Sequence, residues 1–260
     1  MTRALEGGRR RGSMDRMNGL DRRIRELRYS ARYLVSAYPS VYLRWARRHY
    51  AGTGVGVVGP DTEIVIEGFG RSGSTFAVDA FEMAQMRPVM IAHHTHAAAQ
   101  VIAAARLGIP TIVLVRHPLE VALSHMVRRD ISARPPLTAW LRYHCRILPV
   151  RDRIVVGATQ ALSVGIGDMI RQVNERFETS FEVFEPTEEG VARVFEGIER
   201  RNRERYGGAP ASLARPTRER EARKAALRSE LERPSLAALR DRSLLIYREL
   251  LPSLDRRIVE

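Results

Sequence analysis

The chain has 260 residues, 44% of them hydrophobic, with a formal net charge of +13, which is enough for one α/β domain with extensions and tight for two complete domains. No run reaches the roughly 18 to 20 uncharged apolar residues of a membrane span, and the lone Cys145 excludes an internal disulfide framework and a zinc cage, which makes a reducing compartment the default. The charge is nearly all arginine, with Lys224 the only lysine, and acidic residues accompany it in FEVFEPTEEGVARVFEGIERRNRER, so no specific nucleic-acid surface is expected.

In chain order, MTRALEGGRRRGSMDRMNGL has the charge of a signal peptide without its apolar segment, and residues 1–18 read as a disordered basic tail. Residues 19–60 read as a helical extension and linker. Leu20, Ile24, Leu27, Ala31 and Leu34 recur at helical spacing between arginines. Such a stripe adheres to an anionic membrane surface, helped by Tyr38, Tyr42 and Trp45, or packs on the domain; packing is the ordinary outcome for a surface helix and is the expectation. The glycine-rich AGTGVGVVGPD, 51–61, leads into the main domain, 61–260.

There strands and helices alternate. EIVIEG (63–68), PVMIAH (88–93), TIVLVR (111–116), RIVVGAT (153–159) and FEVFE (181–185) are short apolar runs rich in β-branched residues. AAAQVIAAARLG, closed by Gly108, and LSVGIGDMIRQVNERF fill gaps with helical patterns. The expected fold is therefore α/β, an open, mainly parallel sheet of about five strands covered by helices on both faces. A further helical stretch follows Gly207, Gly208, Pro210 and Pro216.

In such sheets ligands sit beyond the carboxyl ends of the strands, where helix N-termini offer N–H groups to anions. The turn Gly68 to Thr75 stands at one such end. Gly68, Gly70 and Gly73 let the backbone approach a phosphate, and Ser72, Ser74 and Thr75 supply hydroxyls. Against the nucleotide-hydrolase pattern G-x-x-x-x-G-K-[ST], Ser74 replaces the lysine and the cation stands earlier, at Arg71. Within TIVLVRHPLEVALSHM, a second strand ends at Arg116, Pro118 opens a helix, and Ser124 follows. Arg116 and Ser124 make a second phosphate site, so the expected ligand is a nucleotide with phosphate at two positions.

EGFGRSGSTF followed by VLVRHPLEVALSH resembles the sulfotransferases that use 3′-phosphoadenosine 5′-phosphosulfate. The resemblance covers about residues 63–128 and implies a P-loop NTPase-like sheet. It also implies that Arg71, Ser72, Gly73, Ser74 and Thr75 hold the 5′-phosphosulfate, while Arg116 and Ser124 hold the 3′-phosphate. His117 stands where the family has aspartate or asparagine. The family's C-terminal Arg-Lys-Gly loop has only weak counterparts in Arg218, Arg220 and Arg223, with Ala225 after Lys224 in place of glycine.

Sulfuryl transfer to an alcohol needs a base, and histidine has a suitable intrinsic pKa. AHHTHAAA puts His93, His94 and His96 directly after the second strand. Matching the family's K-T-H motif selects His96, whereas matching the strand end selects His94, and both stand as candidate bases beside Arg71. No metal is expected, because His94 and His96 have no local cysteine or carboxylate to complete a site. His49, His125 and His144 carry no expected chemistry. A small-molecule kinase and a non-catalytic nucleotide- or anion-binding protein are the alternatives. The acceptor is a small molecule, carbohydrate or lipid, and the expected location is cytoplasmic, with possible peripheral membrane contact through the N-terminal helix.

Overall fold

A computed structural model describes residues 3–207 and 217–251, with side chains placed from Gly19 onward except at 161 and 205–206. Four strands, β1 (Ile64–Gly68), β2 (Ile91–His93), β3 (Thr111–Val115) and β4 (Val155–Ala158), form one parallel sheet in the order β2-β1-β3-β4. The central β1 and β3 are buried throughout. Alternate side chains of these strands enter opposite cores, as the pleat requires. Ile64, Ile66, Ile112 and Leu114 face α3 (Ser74–Ala84), α7 (Leu162–Phe177) and α8 (Glu188–Tyr206). Val113 and Val115 face α4 (Ala98–Leu107) and the Trp140 helix α6 (Arg134–Ile147). The chain is thus α/β, with helices on both faces of the sheet, and mainly helical.

The connection from β1 runs to β2 on one side and the chain then crosses back to β3 on the other, so the carboxyl ends of β1 and β3 flank a topological switch point. Register pairs Gly68 with Leu114, which puts the turn after β1 beside the loop before α5 (Pro118–Arg129).

The sheet has four strands among the described residues, not five. Phe181 to Glu185 joins no ladder, and side chains meet the polar groups of Phe181 and Glu182 instead. Asn174 donates to Phe181 C=O at 2.8 Å and accepts from Phe181 N at 3.0 Å. Gln85 does the same for Glu182, at 2.9 and 3.1 Å. Phe184 is buried in the α3–α7–α8 core all the same. The second strand is also shorter than expected and starts after Pro88, at Ile91.

The N-terminal extension is α1 (Arg3–Val35) followed by α2 (Pro39–His49). The backbone helix is assigned from Arg3, so no break in secondary structure marks the boundary expected at residue 18. The apolar stripe faces the other way from the expectation: Leu20, Ile24, Leu27, Ala31 and Leu34 are all exposed. The opposite face packs instead, with Tyr29 and Tyr33 buried, because two amphipathic aromatics fill the space beside Phe69 of the β1 turn. Tyr42 is buried too, while Tyr38 and Trp45 remain exposed. The stretch expected as a linker is pinned down by Gln100, whose Oε1 accepts from Val58 N at 2.9 Å and whose Nε2 donates to Gly56 C=O at 3.1 Å.

On the C-terminal side, α9 (Arg218–Leu231) and α10 (Ala237–Leu250) complete the described chain. Leu231 and Leu236 pack on Ala122, Leu123 and Met126 of α5. Arg228 donates to Glu120 at 3.2 Å, which clamps α9 across the face of α5 that carries Ser124. No helix among the described residues is long and apolar enough to cross a membrane.

Candidate functional site

The carbonyls of the turn are engaged one by one from Gly68 to Gly73. Gly68 C=O accepts from His96 Nδ1 at 2.9 Å, Phe69 C=O from Ser72 N at 3.1 Å, and Gly70 C=O from His125 Nε2 at 3.0 Å. Arg71 C=O accepts from Arg116 Nη1 at 3.1 Å, Ser72 C=O from Thr159 Oγ1 at 2.9 Å, and Gly73 C=O from Ala77 N at 3.2 Å. With these carbonyls taken, what the turn has left to offer are its N–H groups other than those of Gly68 and Ser72, which donate to Glu67 Oε2 and Phe69 C=O. Those opening α3 have no partner within the helix, and the N-cap Gly73 provides no side-chain cap.

Gly73 has φ 83°, a left-handed conformation that favours glycine, and a Cβ there would push Leu162 Cδ2, 2.6 Å away, aside. At Gly68 a Cβ would stand 2.7 Å from Leu114 C=O on the neighbouring strand. Arg71 has φ 74° without being glycine, a strain of about 1 kcal/mol or more that the surrounding bonds hold in place.

The hydroxyls of Ser72 and Ser74 are buried with no hydrogen-bond partner. Buried polar groups are nearly always paired, so two unpaired hydroxyls in one turn are an exception with donors to spare. Thr75 is exposed and bonds through Oγ1 to His94 Nε2 at 3.1 Å.

Arg71 and Ser124, 53 residues apart, meet directly, with Arg71 Nε donating to Ser124 Oγ at 3.0 Å. Both line a small, open pocket whose other walls are Val127, Arg128, Glu219, Arg220, Arg223 and Lys224. Of the C-terminal candidates, Arg220 and Arg223 are therefore at the pocket and Arg218 is not among its lining side chains. Arg116 lies one step behind, with Nη1 on the turn backbone and Nη2 4.0 Å from Glu120. Burial first, then the neighbouring Arg128, Arg220 and Arg116, lowers the Arg71 pKa to about 10. Burial lowers that of Arg116 as well. Crowded, partly desolvated cations of this kind are relieved by an anion.

The histidine loop is built on a residue that the sequence reading overlooked. Glu67, in the interior of β1, is fully buried. Its Oε1 accepts from Thr95 N at 2.8 Å, Thr95 Oγ1 at 2.8 Å and Gln100 Nε2 at 3.0 Å. Its Oε2 accepts from His96 N and from Gly68 N, each at 3.2 Å. Burial raises the Glu67 pKa to about 7 against the opposing pull of these bonds. The only signal in the sequence was a carboxylate inside an otherwise apolar run.

His96 donates Nδ1–H to Gly68 C=O, which fixes the tautomer with the lone pair on Nε2. His94 has both ring nitrogens engaged, Nε2 with Thr75 and Nδ1 with His93 Nδ1. Burial lowers their pKa values to about 4 for His96 and about 3 for His94, so both rings are neutral at pH 7. His94 at φ 62° and His96 at φ 52° bracket Thr95 in a tight left-handed loop. His125 and His144 are buried, and His125 positions the turn through Gly70. His117 packs edge-on against Tyr247 with ring centroids 5.3 Å apart. Among the described residues, no group of three or more His, Cys, Asp or Glu is arranged to hold a metal ion.

Comparison of the chain with protein-family models and with curated proteins finds no match.

Proposed function

We propose that the chain is a sulfotransferase that moves a sulfuryl group from 3′-phosphoadenosine 5′-phosphosulfate to a hydroxyl acceptor. The observation that carries this reading is the contact between Arg71 and Ser124, which joins the two motifs at one basic pocket on a switch point of the sheet. The strand order and the turn at the end of β1 support grouping the sheet with P-loop-like folds.

The nucleotide, when bound, supplies the activated sulfuryl group. The residues present fit it on two counts. The unpartnered Ser72 and Ser74 hydroxyls and the N–H groups opening α3 suit the 5′-phosphosulfate, and the cations around Ser124 suit the 3′-phosphate. In this reading Arg71 and the turn stabilise charge on the leaving phosphate, where preorganised donors act most strongly. Ser124 and the α9 cations Arg220, Arg223 and Lys224 hold the far phosphate, with Arg116 behind them bracing Arg71 C=O. His96 accepts the proton of the attacking hydroxyl at Nε2, the nitrogen left open when Nδ1–H is anchored to Gly68. His94 orients Thr75.

The reading is tested by thermal denaturation with ligands, since a ligand stabilises the state it binds. Adenosine 3′,5′-bisphosphate is expected to raise Tm by several degrees at saturating concentration, and more than ATP with magnesium does. A larger shift with ATP and magnesium would favour the kinase instead.

A further inference from the structure

We propose that the outer face of α1, continued by the exposed part of α2, docks on an anionic lipid bilayer. Leu20, Leu27 and Leu34 are 59%, 71% and 46% exposed, with Ile24 and Ala31 between them on the same helical face. Past the turn, Tyr38, Val41 and Trp45 are also exposed. A helix resting on a protein turns its apolar stripe inward, and here the inward face is filled by Tyr29 and Tyr33 instead. The outward stripe is therefore a surface awaiting an apolar medium.

The charge selects the medium. Residues 19–50 hold eight arginines and two carboxylates, Asp21 and Glu26. Glu26 is turned to the body, where it accepts from Ser132 N at 2.7 Å. Arg23, Arg28, Arg44 and Arg48 are exposed, and among the described residues they enter no ion pair. A second copy of the same face would set these arginines against one another with no acidic row to receive them. An anionic headgroup layer complements them, the leucines enter the acyl boundary, and Trp45 and Tyr38 suit the interfacial depth. On its inner side the same helix packs Tyr33 on Phe69 of the phosphate turn, with ring centroids 4.6 Å apart. The docked membrane would thus lie about one helix diameter, roughly 10 Å, from the candidate site.

The test is sedimentation of the full chain with vesicles of phosphatidylcholine alone, or of equal parts phosphatidylcholine and phosphatidylglycerol, with no nucleotide present. The protein should bind the mixed vesicles, release them at high salt and ignore the neutral ones. Leu27→Glu should lower binding at least about tenfold, the worth of one leucine removed from an apolar medium. The double variant Arg23→Gln, Arg28→Gln should lower it by about 30-fold. All three positions are exposed, so Tm should be unchanged. Absence of binding to mixed vesicles, equal binding to neutral ones, or full binding by Leu27→Glu overturns the proposal. Self-association that Leu27→Glu abolishes would assign the face to a second copy and overturn it as well. Because the assay contains no nucleotide, its failure leaves the sulfotransferase reading untouched.

Discussion

Glu67 accepts two hydrogen bonds from Thr95 at one oxygen, from the backbone N and from Oγ1, each at 2.8 Å. A buried carboxylate at the end of the central strand thus fixes the loop that presents His94 and His96. Glu67→Ala leaves the donors of Thr95, Gln100 and His96 unmatched inside the protein and is expected to destabilise the fold by about 3 to 5 kcal/mol in urea melts. Glu67→Gln keeps the shape and one acceptor oxygen and should cost less than half of that. Equal losses for the two variants would show that packing, not hydrogen bonding, is the contribution of this side chain.

Arg71 combines strain with charge, and the two can be separated. Arg71→Gly removes a left-handed strain of about 1 kcal/mol together with the bond to Ser124, so unfolding free energy should change by less than about 1 kcal/mol. Affinity for adenosine 3′,5′-bisphosphate should nevertheless fall by on the order of 100-fold, since a charge-assisted contact to phosphate is lost. Ser124→Ala should weaken binding by about tenfold. Calorimetry on the two variants checks both figures.

His96 and His94 divide the expected roles. His96→Ala should lower kcat by about 100-fold or more and weaken nucleotide affinity far less, through the lost brace on Gly68 C=O. His94→Ala should weaken nucleotide binding through Thr75 and reduce kcat less. With the His96 pKa near 4, activity should hold from pH 8 down to about pH 5 and fall only below that. An acid limb centred near 6.5 would mean that the base titrates as an exposed imidazole, contrary to the burial described here.

Stability should follow pH through the buried histidines. Burial lowers the pKa of His94, His125 and His144 to about 3 and that of His96 to about 4, so below 6.5 the unfolded chain takes up protons that the fold refuses. The stability they contribute is present above pH 6.5 and lost as pH falls. Glu67 runs the other way: its pKa is raised to about 7, so its contribution is present below 4.5 and lost as pH rises through 7. The net expectation is stability that rises with pH and levels off above about pH 7.5, because the four histidines outweigh Glu67 throughout, with a loss of at most about 4 kcal/mol per pH unit between 6 and 5. Denaturant midpoints across pH 5 to 8 measure it.

The parts legible in the sequence were those governed by local rules. The runs behind β1 and β3 read as strands because both faces are buried, and Gly68 to Thr75 read as a strand-to-helix turn because glycine spacing dictates backbone shape. The 181–185 run has the same composition as a strand, yet Asn174 and Gln85 take its hydrogen bonds, and no local pattern encodes that. The stripe of α1 was visible as a stripe, but its direction depends on Tyr29 and Tyr33 finding Phe69 across the fold. Glu67 was hidden because its main partners, Thr95 and Gln100, stand 28 and 33 residues away. Arg220 and Arg223 reach the pocket through the α5–α9 clamp at Glu120, which is likewise a long-range contact.

The central claim is that this chain binds a nucleotide phosphorylated at two positions through the Arg71 turn and Arg116. Titration calorimetry of adenosine 3′,5′-bisphosphate into the wild type and Arg116→Ala tests it most directly. Micromolar or tighter binding that weakens by about 100-fold in the variant is the predicted result, since the lost guanidinium braces Arg71 C=O and its charge stands directly behind the pocket. No binding by the wild type, or binding indifferent to Arg116, would contradict the account.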